Sequence, residues 1–158
     1  MPQEIERRFL VCGDLSTLRG VGEYICQGYL PARDGCTARV RIVHGKAFLT
    51  KKGRKTGCCR LEVEREISLE IALRLLRDRR VGEIIEKTRY RVDHQGFCWE
   101  VDVFHGTNTG LVIAEIELEE ADAVFPLPDW IGEEITDVPR YSNSALSRHP
   151  VRAWRQVA

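Results

Sequence analysis

Residues 4–11, EIERRFLV, place charged side chains at every second position near the start of the chain. Successive side chains of a β-strand point to opposite faces, so Glu4, Glu6 and Arg8 would share one face of a strand. Two carboxylates and a guanidinium on one face can bind a charged ligand, but a face exposed to solvent would show the same pattern. The other strands of the chain must decide between these interpretations.

The same alternation recurs along most of the chain, with charged residues on one face of each predicted strand and mostly apolar residues on the other. The charged faces carry Arg39 and Arg41; Thr50 and Lys52; Arg60, Glu62, Glu64 and Glu66; Lys87, Arg89 and Arg91; Glu100 and Asp102; and Glu115, Glu117 and Glu119. Like charges repel each other unless an opposite charge or a ligand lies between them. An open antiparallel sheet with one solvated face and a closed barrel with the charges inside both remain consistent with this pattern.

Strands outnumber helices in the predicted secondary structure. The predicted strands are residues 4–11, 22–30, 37–43, 46–52, 59–67, 83–92, 96–104 and 110–119. The clearest helix covers residues 69–80, where Ser68 is a candidate N-cap and apolar residues recur at helical spacing. These apolar positions are Leu69, Ala72, Leu73 and Leu76. Shorter helices are predicted over residues 120–125, ended by Pro126, and over residues 143–148. This composition predicts a sandwich or a barrel.

The length and composition describe one ordinary globular domain. The chain has 158 residues, with 24 basic and 24 acidic side chains. Because there is no net positive field, we expect no nucleic-acid partner. No apolar run approaches the length of about 20 residues that spans a bilayer, and residues 1–8 lack the apolar core of a signal peptide. We therefore expect a cytoplasmic protein that does not bind membranes. The six cysteines include no C-x-x-C pair, which indicates reduced thiols.

Several common catalytic motifs are absent from the sequence. The GRKTG stretch at residues 53–57 lacks the spacing of a phosphate-binding P-loop. The four histidines lack the spacing of zinc ligands, and there is no G-x-S-x-G nucleophile motif. Any phosphate-binding role must therefore come from the charged strand faces.

Short blocks of sequence follow one another in a specific order. They are EIERR, RVR (39–41), LTKKG (49–53), RLEVE (60–64), EKTRY (86–90), WEVDVF (99–104), GLVIAEIEL (110–118) and WIGEEITDVPRYSNSAL (130–146). Each block alone is weak, but their ordered combination resembles the CYTH domain family, the triphosphate tunnel metalloenzymes. The resemblance implies a mainly β, α+β fold: a closed eight-stranded antiparallel β-barrel that forms a hydrophilic tunnel, with a few helices packed outside. It also implies a single domain over residues 1–158.

The resemblance implies a role for many of the charged residues. Basic side chains would neutralise a triphosphate, and hard oxygen ligands would hold Mg²⁺ or Mn²⁺. The implied metal ligands are Glu4, Glu6, Glu115, Glu117 and Asp102. The implied substrate-binding residues are Arg8, Arg39, Arg41, Lys52, Arg60, Lys87, Arg89 and Arg140. The implied catalytic residues are Lys87, Asp102 and Glu100.

One residue departs from the family signature, because Arg8 occupies the position of the motif lysine. Arginine keeps the charge but does not readily lose a proton, so Arg8 suits phosphate binding better than proton transfer. The resemblance predicts metal-dependent hydrolysis of a triphosphate, with inorganic triphosphate as the preferred substrate. The alternatives are a thiamine triphosphatase or adenylate cyclase on the same scaffold, and a module that binds polyphosphate or nucleotides without turnover. A barrel exterior covered by few helices would also suit a homodimer.

Overall fold

Antiparallel strands form most of the computed structural model, which describes residues 3–18 and 20–154. The strands are β1 (Gln3–Val11), β2 (Glu23–Leu30), β3 (Thr37–Val43), β4 (Lys46–Lys52), β5 (Cys59–Ile67), β6 (Val81–His94), β7 (Phe97–Phe104), β8 (Val112–Glu117) and β9 (Ile131–Glu134). The helices are α1 (Leu69–Asp78), α2 (Asn143–Arg148) and α3 (Val151–Trp154). No helix in these described ranges is long and apolar enough to cross a membrane.

Eight of the strands close into a barrel. Neighbouring strands follow the order β5-β4-β3-β2-β6-β7-β8-β1, and β1 pairs back with β5 through Glu4 opposite Arg60. The short strand β9 continues this edge, because it pairs with β1 at Phe9 and Val11, beyond the residues that pair with β5. The predicted closed eight-stranded antiparallel barrel is therefore confirmed.

Tight turns fix the register of the long hairpins. His44 and Gly45 join β3 to β4, and both have positive φ angles, 53° and 71°. Gln95 and Gly96 join β6 to β7 in the same way, at 47° and 84°. Two-residue turns with this backbone twist match the twist of antiparallel strands, so each hairpin keeps its alternation and its charged face stays on one side.

The apolar faces of most strands form the outside of the barrel, where other parts of the chain cover much of them. Ala72 and Leu76 of α1 pack on Val40 and Ala47 of β3 and β4. Ser68 caps this helix by accepting a hydrogen bond from the backbone N–H of Ile71 at 3.1 Å. Only part of the apolar stripe predicted for this helix is buried, because Leu73 is 54% exposed.

The segment after β8 covers a second part of the exterior and is not the predicted helix. Residues 120–123 form a turn, in which the backbone N–H of Ala123 donates to the carbonyl of Glu120 at 3.2 Å, and residues 124–128 have no regular secondary structure. The prediction was wrong, and in place of a helix Phe125 packs edge-on against Trp99, at 5.7 Å between ring centroids. Strand β9 was not predicted either.

The C-terminal part of the described chain closes one end of the barrel. Helix α2 confirms the prediction over residues 143–148, and its N-cap Ser142 accepts a hydrogen bond from the N–H of Ala145 at 3.1 Å. Leu146 of this helix packs with Tyr29, Phe104 and Ile113, which are buried at that end of the barrel. This apolar contact places the first turn of α2 against the barrel interior.

We predict that Trp99→Ala lowers the free energy of unfolding by about 3–5 kcal/mol, since Trp99 is completely buried among three aromatic rings. Denaturant unfolding followed by circular dichroism measures this change. Leu73→Ala on the exposed face of α1 is the control, with an expected change of about 0.5 kcal/mol or less. Equal effects of the two substitutions would contradict the packing described here.

Candidate active site

The charged strand faces surround one cavity inside the barrel, with a volume of about 250 Å³. Its wall contains seven carboxylates, Glu4, Glu6, Glu62, Glu64, Glu100, Glu115 and Glu117, and seven cations, Arg8, Arg39, Arg41, Lys52, Arg60, Lys87 and Arg89. Neutral polar groups complete it: Tyr29, Thr37, Thr50, Ser142, Asn143 and Ser144. Of the two interpretations of the charge pattern, the barrel with inward charges is the one that the chain adopts.

The wall includes all but two of the residues predicted for the site. Asp102 lies behind the wall, completely buried, where it binds two of the cations. Arg140 lies outside the cavity and is exposed. Its guanidinium carbon sits over the rings of Tyr141 and Trp154, at 5.1 and 4.8 Å from their centroids. This cation–π packing directs Arg140 away from the cavity in this arrangement, and its phosphate contact stays a prediction.

Sequence reasoning missed the neutral residues of the wall other than Thr50, which shares the predicted face of Lys52. Thr37 precedes Arg39 by two positions on β3, so its alternation with the arginines gave a usable signal. Tyr29 is on the inner face of β2. The inner face of this strand has no row of charged residues, so nothing in the sequence indicated that it lines the cavity. Ser142, Asn143 and Ser144 reach the cavity from the start of α2, where strand periodicity gives no information.

The most buried ionic group of the site joins Asp102 to two cations. Lys87 Nζ donates to Asp102 Oδ2 at 2.7 Å, and Arg89 Nε donates to Oδ1 at 2.7 Å. Burial would raise the pKa of Asp102, but Lys87 and Arg89 hold it well below its usual range. Burial lowers the pKa of Lys87 to about 7, against the opposing effect of Asp102. One carboxylate therefore serves two cations, and the lysine is the one that releases a proton more easily.

Two further carboxylates of the wall are paired with cations. Lys52 Nζ donates to Glu4 Oε2 at 2.7 Å, and Arg8 Nε donates to Glu115 Oε1 at 3.1 Å. Burial opposes the charge of Glu115, but Arg8 and Arg89 lower its pKa to about 2. Each of these two carboxylates therefore has a specific cationic partner.

Glu6 and Glu117 lie directly opposite each other on β1 and β8, and neither forms an ion pair with another described residue. Burial, with Glu115 and Glu4 nearby, raises the pKa of Glu6 to about 7. Burial also raises the pKa of Glu117, with further contributions from Glu4, Glu100 and Glu62. Two acidic side chains thus face each other with no cation of the described chain paired to either, and burial favours the protonated form of each.

This arrangement fits a hard divalent cation. Facing carboxylates repel each other, and carboxylate oxygens are the ligands that Mg²⁺ and Mn²⁺ prefer. In the arrangement that the described residues adopt, no three acidic, histidine or cysteine side chains converge on one point. Since Glu4 and Glu115 are turned towards Lys52 and Arg8, they would have to exchange these partners to join Glu6 and Glu117 around an ion.

Two cations of the wall have buried hydrogen-bond donors without a partner in the described chain. Arg8 Nη2 and Arg39 Nε are buried and have no hydrogen-bond partner in the described part of the chain. A buried donor without a partner costs free energy, so these nitrogen atoms favour an anion in the cavity. Carboxylates suited to a cation and guanidinium groups suited to an anion therefore face the same space.

The family model for the CYTH domain matches residues 2–146, and the chain belongs to this family. The inorganic triphosphatase of Acetivibrio thermocellus is 45% identical over 156 residues, which cover 99% of this chain and 100% of that protein. The inorganic triphosphatase of Nitrosomonas europaea is 36% identical over 152 residues, covering 91% and 96%. A crystal structure of an inorganic triphosphatase superposes with a TM-score of 0.66 at 34% identity, covering 90% and 96% of the two chains. Family membership implies a divalent metal.

We predict that Asp102→Asn lowers the free energy of unfolding by about 3–5 kcal/mol, because it leaves two buried cations sharing a neutral amide. The control is Glu100→Gln on the same face of β7, where the side chain is 30% exposed and a much smaller loss is expected. Chemical denaturation at neutral pH measures both. If Asp102→Asn were as stable as the wild type, Asp102 would not be the charge partner that the distances indicate.

Proposed function

We propose that this protein hydrolyses inorganic triphosphate with the help of Mg²⁺ or Mn²⁺. The observation that supports this best is the closed cavity in which seven cations and seven carboxylates face one another. A triphosphate concentrates several negative charges in a short chain, and it binds a divalent cation in solution. The cavity offers complementary groups for both within one small volume.

The cations of the wall would hold the phosphate oxygens and orient the chain of phosphates. Arg8 and Arg39 have unpartnered donors that can bind oxygens in a forked geometry. Lys52 would act as a point charge, and Arg60 would add a contact near the edge where β1 meets β5. We assign the same binding role to Arg41, Lys87 and Arg89.

Glu4, Glu6, Glu115 and Glu117 would hold the metal, because they form a single patch on the inner faces of β1 and β8. A bound divalent ion polarises phosphoryl oxygens and lowers the pKa of its water. We assign Asp102 to positioning, since its two oxygens already bind Lys87 and Arg89. Glu100 would orient the attacking water, as it lies on the wall beside Arg89 and is partly exposed.

Lys87 would move a proton near the leaving phosphate. Its pKa of about 7 lets the amine exist in both protonation states at neutral pH. Arg8 lacks this capacity, because a guanidinium does not readily deprotonate, and we assign it to binding only.

The wall favours an inorganic substrate over a nucleotide or thiamine triphosphate. Tyr29 is the only aromatic residue that lines the cavity in the described part of the chain, and no aliphatic residue does. A purine or thiamine ring would therefore have little apolar surface to contact inside the barrel. Helix α2 also closes one end of the space, which suits a short ligand without a bulky group.

The proposed activity is tested by phosphate release from tripolyphosphate, ATP and thiamine triphosphate, each with Mg²⁺, Mn²⁺ or excess chelator. We expect release from tripolyphosphate that requires a metal, and slower release from the two other substrates. Binding of tripolyphosphate without release in either metal would instead indicate a binding module. Faster release from ATP or thiamine triphosphate would reassign the substrate on the same scaffold.

We predict that the double substitution Glu4→Gln and Glu6→Gln reduces metal-dependent turnover by about 100-fold or more, since even the outer partners of metal ligands contribute 10- to 100-fold. Glu134→Gln on β9 is the matched control, because Glu134 binds Arg7 outside the cavity. Steady-state rates across a metal titration measure the effect. Unchanged turnover in the double variant would remove Glu4 and Glu6 from the proposed metal site.

The cytoplasmic location, the homodimer and the assignment of residues 1–158 to one domain stay predictions. Apolar side chains exposed on β5, Leu61 at 47% and Val63 at 50%, would support the homodimer. Light scattering across the working concentration range tests it, and a monomer throughout that range would contradict it.

A further inference from the structure

The side chain of Gln27 on β2 is completely buried behind the cavity wall and joins two residues that line the cavity. Its amide oxygen accepts a hydrogen bond from Arg41 Nε at 2.8 Å. Its amide nitrogen donates to Asn143 Oδ1 at 3.0 Å. Lys87 Nζ donates to the same Asn143 oxygen at 3.1 Å. A chain of neutral amides therefore links Arg41 to Lys87.

Arg41 differs from most cations of the cavity. Arg8, Arg39, Lys52, Lys87 and Arg89 each have a carboxylate within 4.0 Å. Arg41 has none among the described residues, although its side chain faces Arg39 and Arg89. Burial, together with these two arginines, lowers its pKa to about 10, which still leaves it charged at neutral pH. Gln27 thus orients a partly buried cation that no carboxylate of the described chain pairs with.

The neutrality of the amide has a physical consequence. A carboxylate at this position would orient Arg41 equally well, but it would also cancel much of the charge that a phosphate group needs. An amide oxygen fixes Nε and leaves the terminal nitrogens of Arg41 with no hydrogen bond to the described chain. These nitrogens can then bind phosphate oxygens in a forked geometry.

We infer that Gln27 is a positioning residue for triphosphate binding, which orients Arg41 without neutralising it and links it through Asn143 to Lys87. The inference rests on the proposed function, because it takes a triphosphate as the ligand. Gln27 itself does not line the cavity, so a ligand in the cavity would not contact it directly. Its effect on the ligand passes through Arg41.

The test is the affinity for tripolyphosphate, measured by titration calorimetry with excess chelator so that no metal or turnover contributes. We expect Gln27→Met to weaken binding about tenfold, the effect of losing a hydrogen bond to a charged group. Gln27→Glu, which has nearly the same shape, should weaken it further because it neutralises Arg41. Gln95→Glu in the exposed turn between β6 and β7 adds the same charge and should leave affinity within about twofold, since exposed charges are screened.

The dependence on Arg41 separates positioning from a structural role. In an Arg41→Met background, Gln27→Glu should change affinity by less than about twofold, because interacting residues are not additive. An equal loss with and without Arg41, or unchanged affinity in both Gln27 variants, would overturn the inference. If Gln27→Glu does not fold, as judged by its melting curve, Gln27→Met carries the same comparison.

The outcome for the proposed function can be distinguished from the outcome for Gln27. Wild-type protein that binds tripolyphosphate but releases no phosphate would contradict the hydrolase and leave the Gln27 comparison valid. Wild-type protein that does not bind tripolyphosphate would contradict both. In an active enzyme, Gln27→Met should raise the KM for tripolyphosphate about tenfold, as its lost hydrogen bond to a charged group implies, with a smaller change in kcat.

Discussion

The barrel must keep many charged side chains away from bulk water, and the rest of the structure follows from how it balances them. Removing an ion from water costs several kcal/mol even after the protein relaxes, so a buried charge needs an opposite charge, hydrogen bonds or a ligand beside it. Asp102 meets this requirement by binding Lys87 and Arg89 at 2.7 Å each. The apolar faces of the strands favour the same orientation. Turning the strands over would expose these apolar faces to water and would bury the charged faces against α1.

Closure of the barrel depends on the same balance. Glu4 pairs with Arg60 across the junction of β1 and β5 in the strand register, while its carboxylate binds Lys52 of β4. On the other side of β1, Arg8 lies opposite Glu115 of β8 and binds it. Strand β1 therefore carries both signs of charge to the two edges that it joins.

A ligand fits beside the charged groups of the cavity that have no partner in the described chain. Glu6 and Glu117 face each other without a cation, and donors of Arg8 and Arg39 are buried without an acceptor. A cation alone would satisfy the first pair, and an anion alone would satisfy the second. A metal-bound triphosphate satisfies both, which explains why one cavity carries equal numbers of acidic and basic groups instead of a single sign.

Alternation along the strands predicted most of the wall, because side-chain direction in a strand is fixed by the backbone. The same rule cannot separate an open sheet from a closed barrel, since both show identical alternation; the ordered sequence blocks supplied that distinction. Alternation also predicted that Asp102 shares a strand face with Glu100. It could not predict how deeply Asp102 is buried, because that burial depends on Lys87 and Arg89 from the neighbouring strand. Asn143 and Arg140 lie outside any strand, and tertiary packing alone brings the first to the cavity and keeps the second away.

The departure at Arg8 is consistent with this division of charge. Its Nε binds Glu115 and its Nη2 remains available, so the side chain both balances a carboxylate and offers a donor to a ligand. A lysine would have only a single charged nitrogen for these two tasks. In the proposed mechanism, proton transfer would then belong to an amine, and a carboxylate holds each of the two lysines on the wall at 2.7 Å, Glu4 for Lys52 and Asp102 for Lys87. Lys87 is the more deeply buried of the two, and burial brings its pKa to about 7, so binding and proton transfer are assigned to different residues.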